Sequence, residues 1–421
     1  MDIQVNALGA IIALVVAIFL ILKKVSPAYG MIAGALIGGL AGGADLTGTV
    51  TLMMEGAKSI IPAVMRILAA GVLAGVLIES GAAAVIAEKI VKKVGETRAL
   101  LALAIATMIL TTAGVFIDVA VITVSPIALA IASKAGISKT AILLAMIGGG
   151  KTGNIMSPNP NAIAAADAFQ IPLTSVMAAG MIPAIFGLSV TYFLARTLVQ
   201  KGVKVTAEES ETAVSGQAPS ILPALVAPLV TIILLALRPL FDISIDPMVA
   251  LPAGGIAGAL AMGSIRHINE YAISGLGKMS GVAIMLLGTG TLAGIIANSG
   301  LKDVIIKSLE ALGLPAFVLA PASGIFMSAA TASTTAGTAV ASQVFGSTIL
   351  EMGVSAFAGA AMVHAGATVL DHLPHGSFFH ATGGSVNMEI KERLKLIPYE
   401  TTVGITLAIV STLLFGIFKF F

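Results

Sequence analysis

The sequence contains no cysteine, and charged residues occupy only 10% of its 421 positions. Without cysteine the chain has no disulfide bonds and no thiolate ligands for zinc or iron–sulfur clusters, so redox chemistry is not expected. Soluble domains usually have about 25% charged residues. The low charge content therefore excludes an ordinary soluble enzyme. The formal net charge of +2 is too small to indicate a nucleic-acid partner.

Hydrophobic residues dominate the composition instead. They make up 57% of the chain, which also has 46 glycines and a mean hydropathy of +1.04. Folding in water would expose far more hydrocarbon than a single globule covers. The sequence thus predicts an all-α, multi-pass protein of the cell (inner or cytoplasmic) membrane. We predict eight uninterrupted spans, near residues 5–22, 28–43, 58–78, 175–196, 221–240, 247–263, 280–297 and 399–418.

The two halves of the sequence match each other. Residues 27–43 align with 247–263 at an offset of 220 positions, and residues 73–81 align with 292–300 at an offset of 219. Two matches at nearly one offset indicate a tandem structural repeat. We place repeat 1 at 1–200, a polar cytoplasmic linker at 201–219 and repeat 2 at 220–421, with scaffold helices at 5–43 and 221–263.

Each repeat also has a hydrophobic region that glycine, proline and polar residues interrupt. We predict in each a re-entrant hairpin, at about 98–132 and 315–345, followed by an interrupted helix, at about 140–167 and 351–386. Each repeat then crosses the membrane five times, which gives about ten transmembrane helices plus two hairpins. An odd number of crossings inverts the second repeat relative to the first, as in many secondary transporters.

The distribution of basic residues predicts the orientation. With the N- and C-termini outside, sixteen lysines and arginines fall on the cytoplasmic side, Lys278 among them, and five fall outside. The first span is followed by Lys23 and Lys24 and has no basic residues before it. This is the reverse of a signal peptide, so we expect a retained transmembrane helix.

The interrupted segments predict the binding site, because non-helical backbone is tolerated at membrane depth only where protein buries it or it lines a cavity. Hydroxyls, amides and free N–H groups at helix N-termini favour an anion, so the expected cargo is a small hydroxylated acid. The candidate substrate-binding residues are Thr111, Thr112, Lys151, Thr152, Asn154, Ser157, Asn159, Asn161, Ser333, Thr334, Thr335, Thr368, His375 and Ser377.

Two basic residues lie at membrane depth. Lys151, in the first interrupted helix, has three interpretations: it binds a carboxylate of the cargo, it pairs with Asp118 or Asp371, or it extends to the interface. Arg66 is expected to be structural, with a backbone carbonyl or Glu55 as its partner.

Four of the five histidines fall between positions 364 and 380. Histidine titrates near neutral pH, and burial raises the pKa of a carboxyl group, so either kind of side chain could carry a proton here. We therefore select Asp118, His364, Asp371 and His372 as candidates for proton coupling. Metal binding by His372, His375 and Asp371 is the rival interpretation and structural hydrogen bonding is another; no metal or other cofactor is expected.

Two motifs lie within the two-repeat frame: Asn-Ile-Met-Ser-Pro-Asn-Pro-Asn at 154–161 and Leu-Asp-His-Leu-Pro-His-Gly-Ser at 370–377. They resemble motifs of the gluconate permease (GntP) family of the ion transporter superfamily. The resemblance covers essentially the whole chain. It implies proton-coupled import of gluconate or related short hydroxy acids by an elevator movement in a homodimer. It also implies that residues 111–118, 151–161, 333–338 and 371–377 form the site.

Alternatives to this hypothesis remain. A sodium-coupled carboxylate carrier has the same kind of site, and an ion/proton antiporter or channel would need no organic cargo. An enzyme is not expected, because no nucleophile, base and orienting group occur at a recognisable spacing.

Overall fold

The computed structural model describes residues 4–95, 98–206 and 219–420, and these fold almost entirely into helices. No strand occurs within these ranges, where β-pairing is limited to isolated bridges between Val5 and Ser299 and between Ser138 and Lys204. The first half of the chain contains α1 Ala7–Leu22, α2 Pro27–Ala41, α3 Leu46–Ser59, α4 Ile61–Glu79, α5 Ala82–Val94, α6 Ala99–Thr112, α7 Ile117–Ala135, α8 Lys139–Asn154, α9 Pro160–Ala168 and α10 Leu173–Leu198.

The helices of the second half follow a similar order. They are α11 Ile221–Phe241, α12 Pro247–Ala261, α13 Ile268–Ala297, α14 Leu301–Ala311, α15 Leu319–Thr331, α16 Thr334–Glu351, α17 Ala356–Gly366, α18 Ser377–Gly384, α19 Ile390–Leu394 and α20 Ile397–Ser411. A single long helix, α13, takes the place of α3 and α4, and α15 and α16 are arranged in sequence as α6 and α7 are. Residues 207–218 of the expected linker lie outside the described residues.

Local sequence explains where several helices begin. The side chains of Asn6, Asp45 and Ser138 each accept a hydrogen bond from the backbone N–H three residues later, at the start of α1, α3 and α8. These bonds satisfy donors that the first helical turn leaves free. Pro27 and Pro247 occupy the first positions of α2 and α12, where the missing N–H has no cost.

Six helical segments in the described part of the chain are long and apolar enough to cross a membrane: 61–79, 117–135, 173–198, 221–241, 265–297 and 390–417. Six further apolar helices are shorter, among them α1, α2 and α12. The sequence misjudged one of these spans. The span expected near 280–297 begins a dozen residues earlier, since α13 runs for 30 residues from Ile268, so Lys278 lies inside a helix.

Backbone contact at glycine holds α13 against α4. A Cβ atom at Gly75 would fall on the carbonyl oxygen of Tyr271, and one at Gly275 would fall on the backbone of Gly71. Small residues allow such close approach, and in a membrane this packing replaces much of the hydrophobic driving force. The α4–α13 pair is thereby fixed beside the broken helices that form the site.

Candidate substrate-binding site

A cavity of about 600 Å³ lies where the helix breaks meet α2 and α13. Phe116, Ile284, Met285 and Phe378 contribute apolar surface to its wall. The candidate residues that line it are polar or acidic: Asp118, Asn154, Asn161, Ser333, Thr334, Thr335, Asp371 and Ser377. A largely apolar wall with a few converging polar groups is the usual form of a small-molecule site.

The breaks in the helices have identifiable causes. Residues 113–116 separate α6 from α7, and Gly114 there has a φ of 104°. Ala332 and Ser333 separate α15 from α16, and Ala332 is in the left-handed region with a φ of 47°. Pro158 lies between α8 and α9 and Pro374 lies between α17 and α18, where neither has an N–H to continue a helix.

Four helices direct their N-termini at the cavity. Its lining includes the first residues of α2, α7, α16 and α18, together with the residues that precede α2, α7 and α16. The first turn of a helix has unpaired N–H groups and carries the positive end of the helix dipole. Four such ends around one polar cavity favour a bound anion over a cation.

Lys151 and Asp371 form a buried ion pair beside this cavity. The Nζ of Lys151 donates to Oδ1 of Asp371 at 2.5 Å and to the carbonyl oxygen of Thr368 at 2.7 Å, and it lies 3.0 Å from Nδ1 of His372. Thr334 donates to the other oxygen of Asp371 at 2.5 Å. Lys151 is fully buried and does not line the cavity. Of its expected partners, the structure pairs it with Asp371 and not with Asp118.

His372 completes this network. Its Nε2 lies 3.1 Å from the carbonyl oxygen of Ile397 and 3.0 Å from the hydroxyl of Thr401, while its Nδ1 lies 3.0 Å from Oδ1 of Asp371. A carbonyl only accepts hydrogen bonds, so Nε2 donates in this arrangement and Nδ1 is the ring nitrogen that faces the ion pair. That atom contacts both members of the ion pair.

Asparagine side chains join the two halves of the site. Thr335, in the first turn of α16, donates to Oδ1 of Asn161 on α9 at 2.5 Å. Asn159 caps α9 by accepting from the N–H of Ala162 at 3.0 Å, and its amide nitrogen donates to Oδ1 of Asn154 at 2.6 Å. Asn159 therefore shapes the break and positions Asn154, which lines the cavity.

Other candidate residues bond to backbone and do not line the cavity. The hydroxyls of Thr111, Thr112, Thr152 and Thr368 donate to helix carbonyls, Thr111 also reaching the carbonyl of Gly150 on α8. The Nε2 of His375 lies 3.3 Å from the carbonyl of Ala330. Ser157 is buried and its hydroxyl has no hydrogen-bond partner among the described residues.

His364 lies apart from the other histidines in the fold. Its side chain borders a small apolar space lined by Val176, Ala179 and Pro183, and its Nε2 has no partner among the described residues. The sequence clustered His364 with His372 and His375, but His364 lies on α17 and no hydrogen bond joins it to either of them among the described residues. Among the described residues no group of three or more His, Asp or Glu side chains is placed to hold a metal ion.

Arg66 has different partners from those expected. Its Nε and a terminal nitrogen donate to Asp246 at 3.1 Å and 2.8 Å, and its other terminal nitrogen pairs with Asp167. The expected partner, Glu55, is not involved. Arg66 on α4 therefore bridges the end of α9 and the N-terminal cap of α12, residues that are 79 positions apart in the sequence and gave no local signal.

The sequence analysis also missed a lysine at the site. Lys278 lines the cavity from α13. The sequence predicted that this span begins near residue 280, so Lys278 was assigned to the preceding cytoplasmic segment, whereas α13 begins ten residues before it.

Comparison with known proteins identifies the family. The model of the GntP family permeases matches residues 5–418. The chain belongs to the GntP permease family. An uncharacterized transporter of Haemophilus influenzae is 72% identical over 416 residues, which cover 99% of both chains. An uncharacterized permease of the same organism is 29% identical over 177 residues, 41% of this chain and 36% of the relative. The resemblance inferred from residues 154–161 and 370–377 is thus confirmed.

A solved structure has a similar fold. The crystal structure of the Alcanivorax borkumensis YdaH transporter, described as having an unusual topology, aligns with a TM-score of 0.61. The alignment covers 88% of this GntP-family chain and 89% of the YdaH chain at 15% sequence identity. At that identity the similarity concerns the fold alone. The family and the apolar helices together make this chain a multi-pass membrane transporter.

Proposed function

We propose that this GntP-family permease is a proton-coupled symporter that imports gluconate or a related small hydroxylated monocarboxylate. The observation that carries the proposal is the convergence of four helix N-termini on one cavity of about 600 Å³. Helix ends offer a carboxylate the hydrogen bonds that water provides outside the membrane. Asn154, Ser333, Thr335 and Ser377 offer further partners for hydroxyl groups of the cargo.

Proton coupling is assigned to the network beside the cavity. Asp371 accepts from Thr334, which lines the cavity with it, and also contacts Lys151 and His372. A proton added at Asp371 or His372 changes the charge of a buried group that a cargo hydroxyl or carboxylate reaches from the cavity. Asp118, which lines the same cavity, is a second candidate proton carrier.

The proposed movement is an elevator of inverted repeats. In this scheme α1–α2 and α11–α12 are static scaffold in a homodimer, and the broken helices with the hairpins α6–α7 and α15–α16 carry the cargo. With the N-terminus outside, Ser26 and Pro27 lie at the cytoplasmic end of α2, and the cavity that they line is then open to the cytoplasm. The Arg66 bridge to Asp167 and Asp246 lies at the opposite end and closes the outer side.

Transport by purified protein in proteoliposomes tests the proposal. Labelled gluconate, glycerate and 3-hydroxybutyrate should each be offered with an inward proton gradient, with an inward sodium gradient at fixed pH, and with neither. Accumulation driven by protons alone is the expected result. Accumulation driven by sodium alone would establish the sodium-coupled alternative. If none of the three acids accumulates or undergoes counterflow, the carboxylate assignment fails.

A further inference from the structure

A positive side chain lines the same cavity as the helix N-termini. Lys278 lies on α13, which packs against α2, α3, α4 and α16, and the broken helices contribute most of the other polar lining residues. It is solvent-exposed in the cavity, in contrast to the fully buried Lys151. Among the described residues, Lys278 and Asp118 are the charged cavity-lining side chains without an ion pair, since Asp371 is paired with Lys151.

The depth of Lys278 makes its charge costly unless water or an opposite charge is beside it. It lies ten residues, about 15 Å, from the start of α13. The hydrocarbon core of a bilayer is about 30 Å thick and α13 is about 45 Å long, so Lys278, a third of the way along the helix, lies within the core when the helix is centred in it. An ionisable residue at that depth normally faces a wet cavity and marks a substrate or ion pathway.

The surroundings of Lys278 leave room for a ligand. Gly277 and Gly281 flank it on α13, and a Cβ atom at either glycine would meet nothing within 4 Å. Asp118 lines the cavity together with Lys278, and the two form no ion pair within 4 Å. The Lys278 ammonium therefore keeps hydrogen-bond donors available in the cavity that Ser333, Thr335 and Ser377 also line.

We propose that Lys278 is the residue that binds the carboxylate of the cargo, in place of Lys151. This assignment rests on the proposed function. The ammonium group of Lys278 and the N-termini of α7, α16 and α18 would hold the carboxylate between them, while Asn154 and Asn161 contact the hydroxylated part. Lys151 then serves the ion-pair network and does not contact cargo.

The absence of cysteine allows a direct test by chemical rescue. In Lys278→Cys, 2-aminoethyl methanethiosulfonate attaches an aminoethyl group: the thiolate attacks the reagent sulfur, a disulfide forms and methanesulfinate leaves. The product restores an ammonium group at nearly the length of lysine. The 2-sulfonatoethyl reagent attaches a group of similar size with a negative charge. The wild-type protein, which has no thiol, is the control for both reagents.

We expect Lys278→Cys to raise the KM for proton-driven uptake of gluconate by about 10- to 100-fold, which is the usual effect of losing a charge-assisted hydrogen bond. Aminoethylation should recover most of the loss and sulfonatoethylation none. Lys134→Cys removes an equal charge from the exposed end of α7 and should leave KM within twofold of wild type. Lys278→Met, with a similar aliphatic stem, should raise KM equally and replaces the cysteine variant if that one does not purify intact.

Two results would overturn the assignment while leaving the proposed function intact: a wild-type KM in Lys278→Cys and Lys278→Met, or equal rescue by both reagents. Uptake of none of the acids by the wild-type protein would instead defeat the proposed function, and the assignment with it.

Discussion

The Nζ of Lys151 lies 2.5 Å from Oδ1 of Asp371, and both side chains are buried, with 0% and 3% of their surfaces exposed. The two residues are 220 positions apart: Lys151 lies in the last turn of α8, next to the break in the first half, and Asp371 lies in the break between α17 and α18 in the second half. A buried ion pair gains little over two apolar residues, but the loss of one partner leaves an uncompensated charge that costs about 3 to 5 kcal/mol. This pair therefore links the two halves of the chain, and substitution of either residue alone should strongly destabilise the protein.

The Lys151–Asp371 pair gives the first prediction. Lys151→Ala and Asp371→Asn should each abolish uptake, because each leaves a buried charge of the proposed proton-coupling network without its partner. Initial uptake rates in proteoliposomes, normalised to reconstituted protein, measure the loss. The double variant Lys151→Met with Asp371→Leu removes both charges and should recover thermal stability but not uptake. Recovery of uptake by the double variant would reduce the pair to a purely structural role.

The Arg66 bridge gives a prediction about stability. Arg66→Ala leaves Asp167 and Asp246 without their shared partner and should lower the free energy of unfolding by about 1 to 3 kcal/mol. Thermal unfolding in detergent would show this as a lower melting temperature. Arg238→Ala is the matched control. Arg238 lines a small pocket together with Arg66, Asp167 and Asp246, but its side chain is exposed. An equal loss in both variants would contradict a specific role for the bridge.

Two neighbouring glycines on α13 give a third prediction. Gly275→Ala places a methyl group on the backbone of Gly71 and should destabilise the protein by about 1 to 3 kcal/mol. Gly277→Ala extends into open space and should be neutral or stabilise by up to about 1 kcal/mol, since alanine favours a helix more than glycine. The difference in melting temperature between the two variants measures the α4–α13 contact. Equal effects would mean that these helices do not pack as closely as described.

Membrane sidedness gives a fourth prediction. In the proposed inverted arrangement, Lys23→Cys after α1 faces the cytoplasm and Lys307→Cys on α14 faces outside. A membrane-impermeant maleimide applied to intact cells should label only Lys307→Cys, and after disruption of the cells it should label both. The parent chain has no cysteine and provides a zero background. Labelling of both variants in intact cells, or of Lys23→Cys alone, would reject the orientation.

Much of the local structure follows from the sequence. The breaks at 113–116 and 155–159 occur where glycine or proline was expected to interrupt a helix. They could be predicted because glycine readily adopts a positive φ and proline lacks the N–H that continues a helix, whatever the tertiary contacts. The start of α13 could not be predicted, since Ile268 to Met279 contain glycine, serine and charged residues whose cost is offset by contact with other helices. A hydropathy average is taken over neighbouring residues of the chain and does not include the stabilisation from contacts with other helices.

Composition and hydropathy alone determined that this chain is a helical membrane protein, and glycine and proline marked several of the helix breaks. The motifs at 154–161 and 370–377 carried the resemblance to the family. These features depend on each residue and its near neighbours in lipid. Only the tertiary structure decided that Lys151 pairs with Asp371, that Arg66 joins Asp167 and Asp246, and that Lys278 faces the cavity. The paired residues are far apart in sequence. The surroundings of a buried charge depend on which opposite charge or water-filled space the folded helices bring beside it.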